Sequence, residues 1–531
     1  MRVVISIGVV WCLFGLPGFA QESLHQRVDT LIQAKAKGQP FSAPADDAEY
    51  LRRVYLDFAG RIPSATEARR FLDSKDADKR TKLLNQLLAS PEYAVCMTDH
   101  FHLMLMEQLG DHAEWRKYLH RSFADNKPWD QLVREILAAG PQEKAPGAAY
   151  FMSKRLEAYG QNPVDRPALT RDIGRLFLGK DFRCAQCHDH LTIKDYKQRD
   201  FQGLFVFVKN VSLSSAKATY PGVSEKPTTE KIEFASVFGG GKVQTGPRVP
   251  GLTEILIPTM KKGQEYLVKP DVKQQKPGVL KFSTLATLAE QLPTPANPAF
   301  NRNIVNRLWF VLMGRGLVHP LDLDHRGNPP SHPELLELLA KEFVAHQYDI
   351  KWLLRELALT ETYQRSSQLP PMVKNAKPEE FRTALERRLS AEQFLRSMLQ
   401  AAGMTEVKGV KGSPTFDSMR PTFIKAFAHE PREPEDEFNP TLKATLFLLN
   451  DKSVLSWLDA QPGNLLDRLA NQTDNREAVE ELYLSVLTRL PSGEEVAEMG
   501  RYLDERRDRR PLALRNLAWA LLASTEFCVN H

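Results

Sequence analysis

Residues 167–178 have the sequence PALTRDIGRLFL, in which apolar side chains recur at the spacing of an α-helix. One face of that helix is apolar and carries Leu169, Ile173, Leu176 and Phe177. Pro167 suits a first helical turn, where its missing N–H costs no hydrogen bond. The segment runs directly toward Cys184, so it predicts a buried helix that leads into the region around this cysteine.

Helical periodicity covers most of the chain on both sides of one central stretch. It is found in residues 46–59, 79–89, 92–109, 115–124, 129–139, 303–313, 333–347, 351–363, 441–459, 475–489, 492–506 and 511–526. Ser64 with Glu67, and Ser390 with Gln393, have the spacing of capping boxes, which mark helix starts. Residues 404–440 are rich in Pro, Gly, Glu and Lys without periodicity and are predicted to form a long loop. The fold is therefore predicted to be mainly α.

The central stretch has a different composition. Short runs of Val, Thr, Ile, Gly, Pro and Lys extend from about residue 210 to about residue 285, with strand-like alternation at 232–238. We expect a small β-rich insert between multi-helical N- and C-terminal domains. The predicted organisation is a signal peptide, an N-terminal helical domain, the insert and a C-terminal helical domain, at residues 1–20, 21–210, 211–290 and 291–531 respectively.

Size and charge limit the function classes. The 531 residues, of which 42% are hydrophobic, are enough for a large core and too many for one ordinary domain. The formal net charge of +5 is small for this length, and the chain has no long basic tract with interleaved aromatic residues. A nucleic acid is therefore not expected as a partner.

The N-terminus has the pattern of a secretory signal. Arg2 precedes an apolar stretch from Val3 to Leu16, and small residues then lead to a cleavage site after Ala20. The alternative is an anchor helix, for which the apolar stretch is short. No later run approaches a membrane-spanning length, so the mature protein is expected to be exported, without a transmembrane segment, to the periplasm or to the cell surface and beyond.

Cys184-Ala185-Gln186-Cys187-His188 is the pattern that attaches haem c. Two thiols two residues apart can form thioethers with the two vinyl groups of one porphyrin, and the adjacent histidine is then held as the proximal iron ligand. Haem c is attached to proteins after their export, so the predicted signal peptide agrees with this interpretation. This interpretation predicts a c-type haem protein with a role in electron transfer or in redox support of a partner enzyme.

Two other interpretations of the motif stay open. The first is a haem-free metalloprotein or hydrolase acting on extracellular polymers, in which a transition metal such as zinc or iron binds Cys184, Cys187, His188, His190 and His100. The second is a non-catalytic surface or interaction protein without a cofactor, in which Cys184 and Cys187 form a disulfide. The sequence names no catalytic residue. Cys96 and Cys528 form a bridge or remain buried thiols.

Several longer motifs carry a family resemblance. The stretches 51–63 (LRRVYLDFAGRIP), 90–93 (SPEY) and 177–201, which contains the Cys-x-x-Cys-His motif, resemble DUF1549. The stretches 306–309 (NRLW), 314–318 (GRGLV), 328–336 (NPPSHPELL) and 520–527 (ALLASTEF) resemble DUF1553. The chain is thus similar to the planctomycete family that carries both domains, the cytochrome-type PSCyt2 and PSD1 domains.

The resemblance implies export and a cytochrome-type domain, with no established reaction to transfer. It implies that residues 21–210 are DUF1549-like and that residues 291–531 are DUF1553-like. It also implies a redox partner protein or a DUF1501-type protein as a possible partner. His100 falls where this family often has a histidine, after the Ser-Pro-x-Tyr motif, which supports His100 as a ligand.

The DUF1553-like part contains a second group of polar residues. Its members are Arg307, Arg315, Asp322, Asp324, Arg326, Asn328 and His332. One interpretation is a buried ion-pair network that fixes a proline-rich loop between two helices, and the other is a catalytic site. Gly314 and Gly316 fit a helix end and a tight turn, and Pro333 fits a helix start, which favours the network.

Overall fold

The computed structural model describes residues 22–138, 145–158, 164–214, 222–271, 273, 278–371, 373–405, 416–427, 446–448 and 450–531. The predicted signal peptide, residues 1–20, therefore lies outside the described residues. Within the described residues, no helix combines the length and the apolar character needed to cross a bilayer.

The predicted mainly α fold is confirmed, with only small two-stranded sheets in the described residues. The helices of the first part are α1 (Leu24–Ala36), α2 (Asp47–Phe58), α3 (Ala65–Asp73), α4 (Lys79–Ala89), α5 (Pro91–Met106), α6 (Ala113–Ala124), α7 (Trp129–Ala138), α8 (Tyr150–Arg155), α9 (Arg166–Leu178) and α10 (Gln198–Val208). A 3-10 turn at Cys184–Gln186 lies between α9 and α10.

The helices of the later part come after the central strands. They are α11 (Thr284–Gln291), α12 (Pro298–Met313), α13 (Pro333–Ala345), α14 (Ile350–Ala358), α15 (Ala391–Ala401), α16 (Phe416–Phe427), α17 (Lys452–Ser456), α18 (Leu465–Ala470), α19 (Asn475–Leu487), α20 (Gly493–Asp504), α21 (Arg510–Leu522) and α22 (Thr525–Cys528). Further 3-10 turns are Pro378–Glu380 and Arg507–Arg509.

The strands pair as antiparallel neighbours in four small sheets. Six of them lie in the central stretch: β1 (Val211–Leu213) with β2 (Val223–Glu225), β3 (Ile232–Phe234) with β4 (Val243–Thr245), and β5 (Tyr266–Val268) with β6 (Val279–Leu280). The fourth sheet pairs β7 (Arg387–Arg388) with β8 (Val529–Asn530), so it ties the chain end to the entrance of α15.

The predicted capping boxes are both present. The Ser64 hydroxyl accepts a hydrogen bond from the Glu67 backbone N–H, and the Ser390 hydroxyl accepts one from that of Gln393. Each of these bonds satisfies a backbone donor that the first turn of a helix leaves without a partner, so the two residues fix the starts of α3 and α15.

The predicted loop at 404–440 is wrong where the structure describes it, because α16 occupies part of it. Pro421 lies inside this helix, and helix propensity alone would not predict it there. Phe423 is buried, with its ring 6.2 Å from that of Phe394 and 6.0 Å from that of Trp457. Packing against other elements therefore overrides the local signal.

Two apolar cores hold the helices together. The first contains buried residues from Leu24 to Phe381 together with Leu484, and the second contains Leu56, Ile62 and buried residues from Leu389 to Phe527. Helix α2 contributes to both, since Leu51 lies in the first core and Leu56 in the second. The first core includes the apolar face of α9, which positions the Cys-x-x-Cys-His motif.

Candidate functional site

The segment that leads into the motif begins at the end of α9. Gly179 adopts the left-handed conformation, with φ 66°, and its N–H donates to the Arg175 carbonyl. The chain then runs beside the loop before α13, where the Asp181 N–H donates to the Asp322 carbonyl at 2.9 Å. Phe182 is buried, with its ring 5.5 Å from the ring of Tyr196. The segment that leads into the motif is therefore anchored to the first core.

The 3-10 turn of the motif is held by two helices. Ala185 is buried, and the Gln186 amide oxygen accepts a hydrogen bond from Arg171 of α9. From α10, the Gln202 amide donates to the Gln186 carbonyl at 3.0 Å. The middle residues of the motif thus face the protein and its two cysteines face outward.

Cys184 and Cys187 are both exposed and both free. The Cys187 N–H donates to the Cys184 carbonyl at 3.4 Å, which is the hydrogen bond that closes the turn. The Cys187 carbonyl accepts from the Val237 N–H at 3.2 Å, so the chain that comes after β3 lies against the motif. The two thiols are therefore accessible on one turn whose backbone is hydrogen-bonded on both sides.

His188 has a defined tautomer when it is neutral. Its Nδ1 lies 2.6 Å from the Asp189 carbonyl oxygen. A carbonyl oxygen can only accept, so Nδ1 carries the hydrogen and Nε2 carries the lone pair. This arrangement is the one in which a histidine binds a metal ion through Nε2.

Three large apolar side chains in the segments that follow or contact the motif remain exposed. The exposed fractions are 74% for Leu191, 67% for Val237 and 68% for Phe238. The Phe238 ring centroid lies 4.6 Å from that of His188. A set of exposed apolar side chains around a polar site is typical of a surface that receives a ligand or a partner.

His190 has the opposite tautomer. Its Nδ1 accepts from the Ile193 N–H at 3.0 Å and from the Thr192 N–H at 3.2 Å. In the neutral ring Nε2 therefore carries the hydrogen, so neither ring nitrogen offers a lone pair to a metal ion. The ring lies edge-on to Tyr196, with 6.1 Å between the ring centroids.

His100 lies in a separate cluster on α5. The nearby charges that influence the pKa of His100 belong to Asp57, Asp99 and Arg387. Burial lowers the pKa of His100, and its Nε2 is buried without a hydrogen-bond partner among the described residues. The structure therefore does not bring His100 to His188. In the part of the chain that the structure describes, no group of three or more His, Cys, Asp or Glu side chains is arranged to hold a metal ion.

The other two cysteines do not form the bridge that was one of the two expectations. Cys96 and Cys528 are both free. Cys96 is buried, its thiol donates to the Asp57 carbonyl at 3.4 Å, and burial raises the pKa of this thiol. Burial likewise raises the pKa of the Cys528 thiol. Neither thiol is activated as a nucleophile.

The structure divides the predicted polar cluster. Arg307 and Asp322 form a buried ion pair, and Asp322 also accepts from Arg175 at 3.1 Å. Arg175 forms a two-pronged ion pair with Glu107, which lies directly after α5. Sequence reasoning missed Arg175 and Glu107, although an arginine within the apolar helix 167–178 was a signal for a buried partner.

The remaining members of that cluster have other partners than this pair. Asp324 accepts from Arg302 at 3.3 Å, and the Arg326 backbone N–H donates to Asp195 at 2.6 Å. The Asn328 amide donates to the Leu323 carbonyl. The Arg315 Nε is buried and has no hydrogen-bond partner among the described residues. His332 is buried beside Phe381. These contacts all involve the loop between α12 and α13.

A small polar pocket lies between α9 and the motif. Its volume is about 170 Å³, and it is lined by Ala168, Arg171, Asp172, Arg175, Asp181 and Arg183. Its charged side chains pair with one another or with neighbours, as Arg175 does with Glu107 and Asp172. The pocket therefore belongs to the ion-pair network that supports the motif.

The fold and the site define a mainly helical protein that presents an exposed Cys-x-x-Cys-His turn. The family DUF1549, described as PSCyt2 and as a protein of unknown function, matches residues 27–212. The family DUF1553, described as PSD1 and also of unknown function, matches residues 285–438. The chain therefore carries a DUF1549 domain and a DUF1553 domain, as the sequence motifs predict. No curated protein and no solved structure matches the chain.

Proposed function

We propose that the protein is an exported c-type haem protein that transfers electrons. Cys184 and Cys187 are the attachment points, and His188 is the proximal ligand. A haem held there would supply reversible one-electron transfer. Both matched domains are of unknown function, so the proposal rests on the motif and its surroundings rather than on a known reaction.

The state of the thiols supports this proposal. Haem attachment requires two reduced, accessible thiols on one turn, and Cys184 and Cys187 are free and exposed. The hydrogen bonds of Gln186 to α9 and α10 hold the turn from behind, so the thiols can react without rearrangement of the first core.

The hydrogen bonding of His188 is the observation that carries the proposal. Its Nδ1–H donates to the Asp189 carbonyl, so the Nε2 lone pair is available to bind iron. The same bond orients the ring and makes it a stronger ligand. His190, two residues further on, accepts at Nδ1 from the Ile193 N–H, so its neutral ring carries the hydrogen on Nε2 and does not fit this role.

The apolar surroundings fit a porphyrin. Leu191 follows the motif, Val237 and Phe238 belong to the segment that contacts it, and all three are exposed apolar side chains that a bound porphyrin could cover. Phe238 covers one side of the His188 ring and precedes Gly239. A Cβ added at Gly239 would meet nothing within 4 Å, so the space beside Phe238 is open.

Export and partners are part of the same proposal. Residues 1–20 direct the chain to the periplasm or the cell surface, where haem c attachment takes place. The electron partner is a redox protein, and it would dock on the exposed surface around the motif. No reaction is assigned beyond electron transfer.

The test is an absorption spectrum of the protein exported in a host with cytochrome c maturation machinery. Reduction should produce sharp visible bands, and Cys184→Ala/Cys187→Ala should abolish them. Cys528→Ala is the matched control and should keep the bands, since this thiol lies outside the motif. A colourless wild-type protein under the same conditions would refute the proposal.

A further inference from the structure

The hairpin of β5 and β6 has one apolar face turned to solvent. Tyr266 pairs with Leu280, and Val268 pairs with Val279, with an irregularity between the two pairs on β5. Side chains directly opposite in antiparallel strands point to the same side, and adjacent pairs point to opposite sides. The extra residue, Leu267, therefore moves Val268 to the side away from Tyr266.

Burial agrees with this geometry. Tyr266 and Leu280 are half-buried, which places their side of the hairpin toward the protein. On the outer side the exposed fractions are 59% for Val268 and 49% for Val279, and Leu267 is 68% exposed. The two strands of the hairpin thus present three neighbouring aliphatic side chains to solvent, which normally carries a cost in free energy.

Positive charge accompanies this apolar face. The exposed lysines in and beside the hairpin are Lys261, Lys262, Lys269, Lys273 and Lys281. The negatively charged residues among the described residues of 261–281 are Glu265 and Asp271 only. Lys281 comes directly after Leu280 and alternates with it, so it lies on the same side as Val279. Lys281 therefore shares the face of Val279, and the other lysines are exposed beside it.

We propose that this hairpin docks the exported protein on an anionic lipid surface. Aliphatic side chains can enter the boundary between headgroups and acyl chains while lysines pair with anionic headgroups. Three aliphatic side chains are too few for the area of about 800 Å² that each partner buries in a stable protein–protein interface. Charge complementarity and small apolar area thus favour a membrane over a protein. This inference rests on the export that is part of the proposed function, but it needs no haem, so the vesicle test and the haem test can fail independently.

The test is co-sedimentation of the full exported chain with vesicles. One set contains phosphatidylcholine alone, and the other also contains phosphatidylglycerol. We expect binding to the anionic vesicles only, with loss of binding at high salt because screening weakens each lysine contact. Removal of two charges in Lys269→Gln/Lys281→Gln should weaken binding about thirtyfold, at roughly 1 kcal/mol for each lysine.

Matched variants separate the hairpin from general charge and apolarity. Lys374→Gln/Lys377→Gln removes two exposed lysines elsewhere and should bind as wild type. Leu267→Ser/Val268→Ser should weaken binding, whereas Leu490→Ser/Leu512→Ser, at two other exposed positions, should not. Circular dichroism establishes that each variant is folded. Equal binding to both vesicle types, equal loss in the control variants, or binding to a soluble polyanion but not to vesicles would overturn the proposal.

Discussion

The imidazole of His332 is buried, 5.6 Å from the ring of Phe381 between centroids. Burial, with a smaller effect of the Lys35 cation, lowers the pKa of His332 from 6.5 to about 4. As the pH falls through this window, the unfolded chain binds a proton at this histidine and the folded chain does not. The folded state therefore loses stability between pH 6.5 and about pH 4, and this loss is absent above pH 6.5.

His332→Gln should reduce this loss, because the titrating group is gone. The free energy of unfolding, measured with urea at pH 6.5 and near pH 4, should fall less in the variant than in the wild type. His120→Gln, at an exposed position, is the control and should fall as the wild type does. An undiminished fall in His332→Gln would contradict the pKa shift assigned to this residue.

At the scale of single elements, the end of α9 sets the position of the motif. Gly179 has φ 66°, and a Cβ there would lie 3.0 Å from the Asn303 amide oxygen of α12. A side chain at this position would therefore strain the backbone and also press on a neighbouring helix. Cys184 comes five residues later, so a shift at this turn is transmitted to the thiols.

Gly179→Ala should lower the free energy of unfolding by more than the about 1–2 kcal/mol that the left-handed conformation alone costs, because the added Cβ also presses on Asn303. It should also change the rate at which Cys184 and Cys187 react with a thiol reagent. The control is Gly251→Ala, which shares a positive φ of 84° but has nothing within 4 Å of the added Cβ. If the control costs as much and changes the thiol rates as much, the contact with Asn303 has no role.

Local patterns predict the elements well where they coincide with burial. The helix expected at 167–178 is α9, and its four apolar side chains are all buried. The pattern fails at α16, because Phe423 is held by rings from α15 and the Trp457 region, which no local window contains. Helix propensity could not have found a helix that contains Pro421.

At the scale of the whole molecule, α2 connects the two cores through a buried carboxylate. Asp57 accepts from Arg387 at 2.8 and 2.9 Å, from the Tyr363 hydroxyl at 2.7 Å and from the Asn530 amide at 2.9 Å. Tyr363 belongs to the first core, and Asn530 lies in β8 at the chain end. Burial, together with the Asp57 charge, raises the pKa of Tyr363 well above its usual value.

Asp57→Asn should lower the free energy of unfolding by about 3–5 kcal/mol, because it leaves Arg387 buried without a counter-charge. Both cores should unfold together, since α2 serves both, and tryptophan fluorescence reports on both through Trp309 and Trp457. Fluorescence and circular dichroism should therefore give one coincident transition in guanidinium. Asp76→Asn, at an exposed ion pair with Lys82, is the control and should lower the free energy of unfolding far less than Asp57→Asn does. Two separate transitions would contradict the coupling of the cores through α2.

The candidate site could be predicted from sequence only in part. Spacing identifies Cys184, Cys187 and His188, but the tautomer of His188 depends on the position of one carbonyl. Phe238 reaches the motif from the chain after β3, about fifty residues later, and no sequence pattern specifies that contact. The separation of His100 from the motif likewise results from the packing of α5.

The most direct test of the proposed haem attachment is the intact mass of the denatured protein after export in a host with cytochrome c maturation machinery. We expect the mature mass plus one haem, and the unmodified mature mass for Cys184→Ala/Cys187→Ala. An unmodified mass for the wild type, with both thiols of the motif still reactive, would contradict haem attachment.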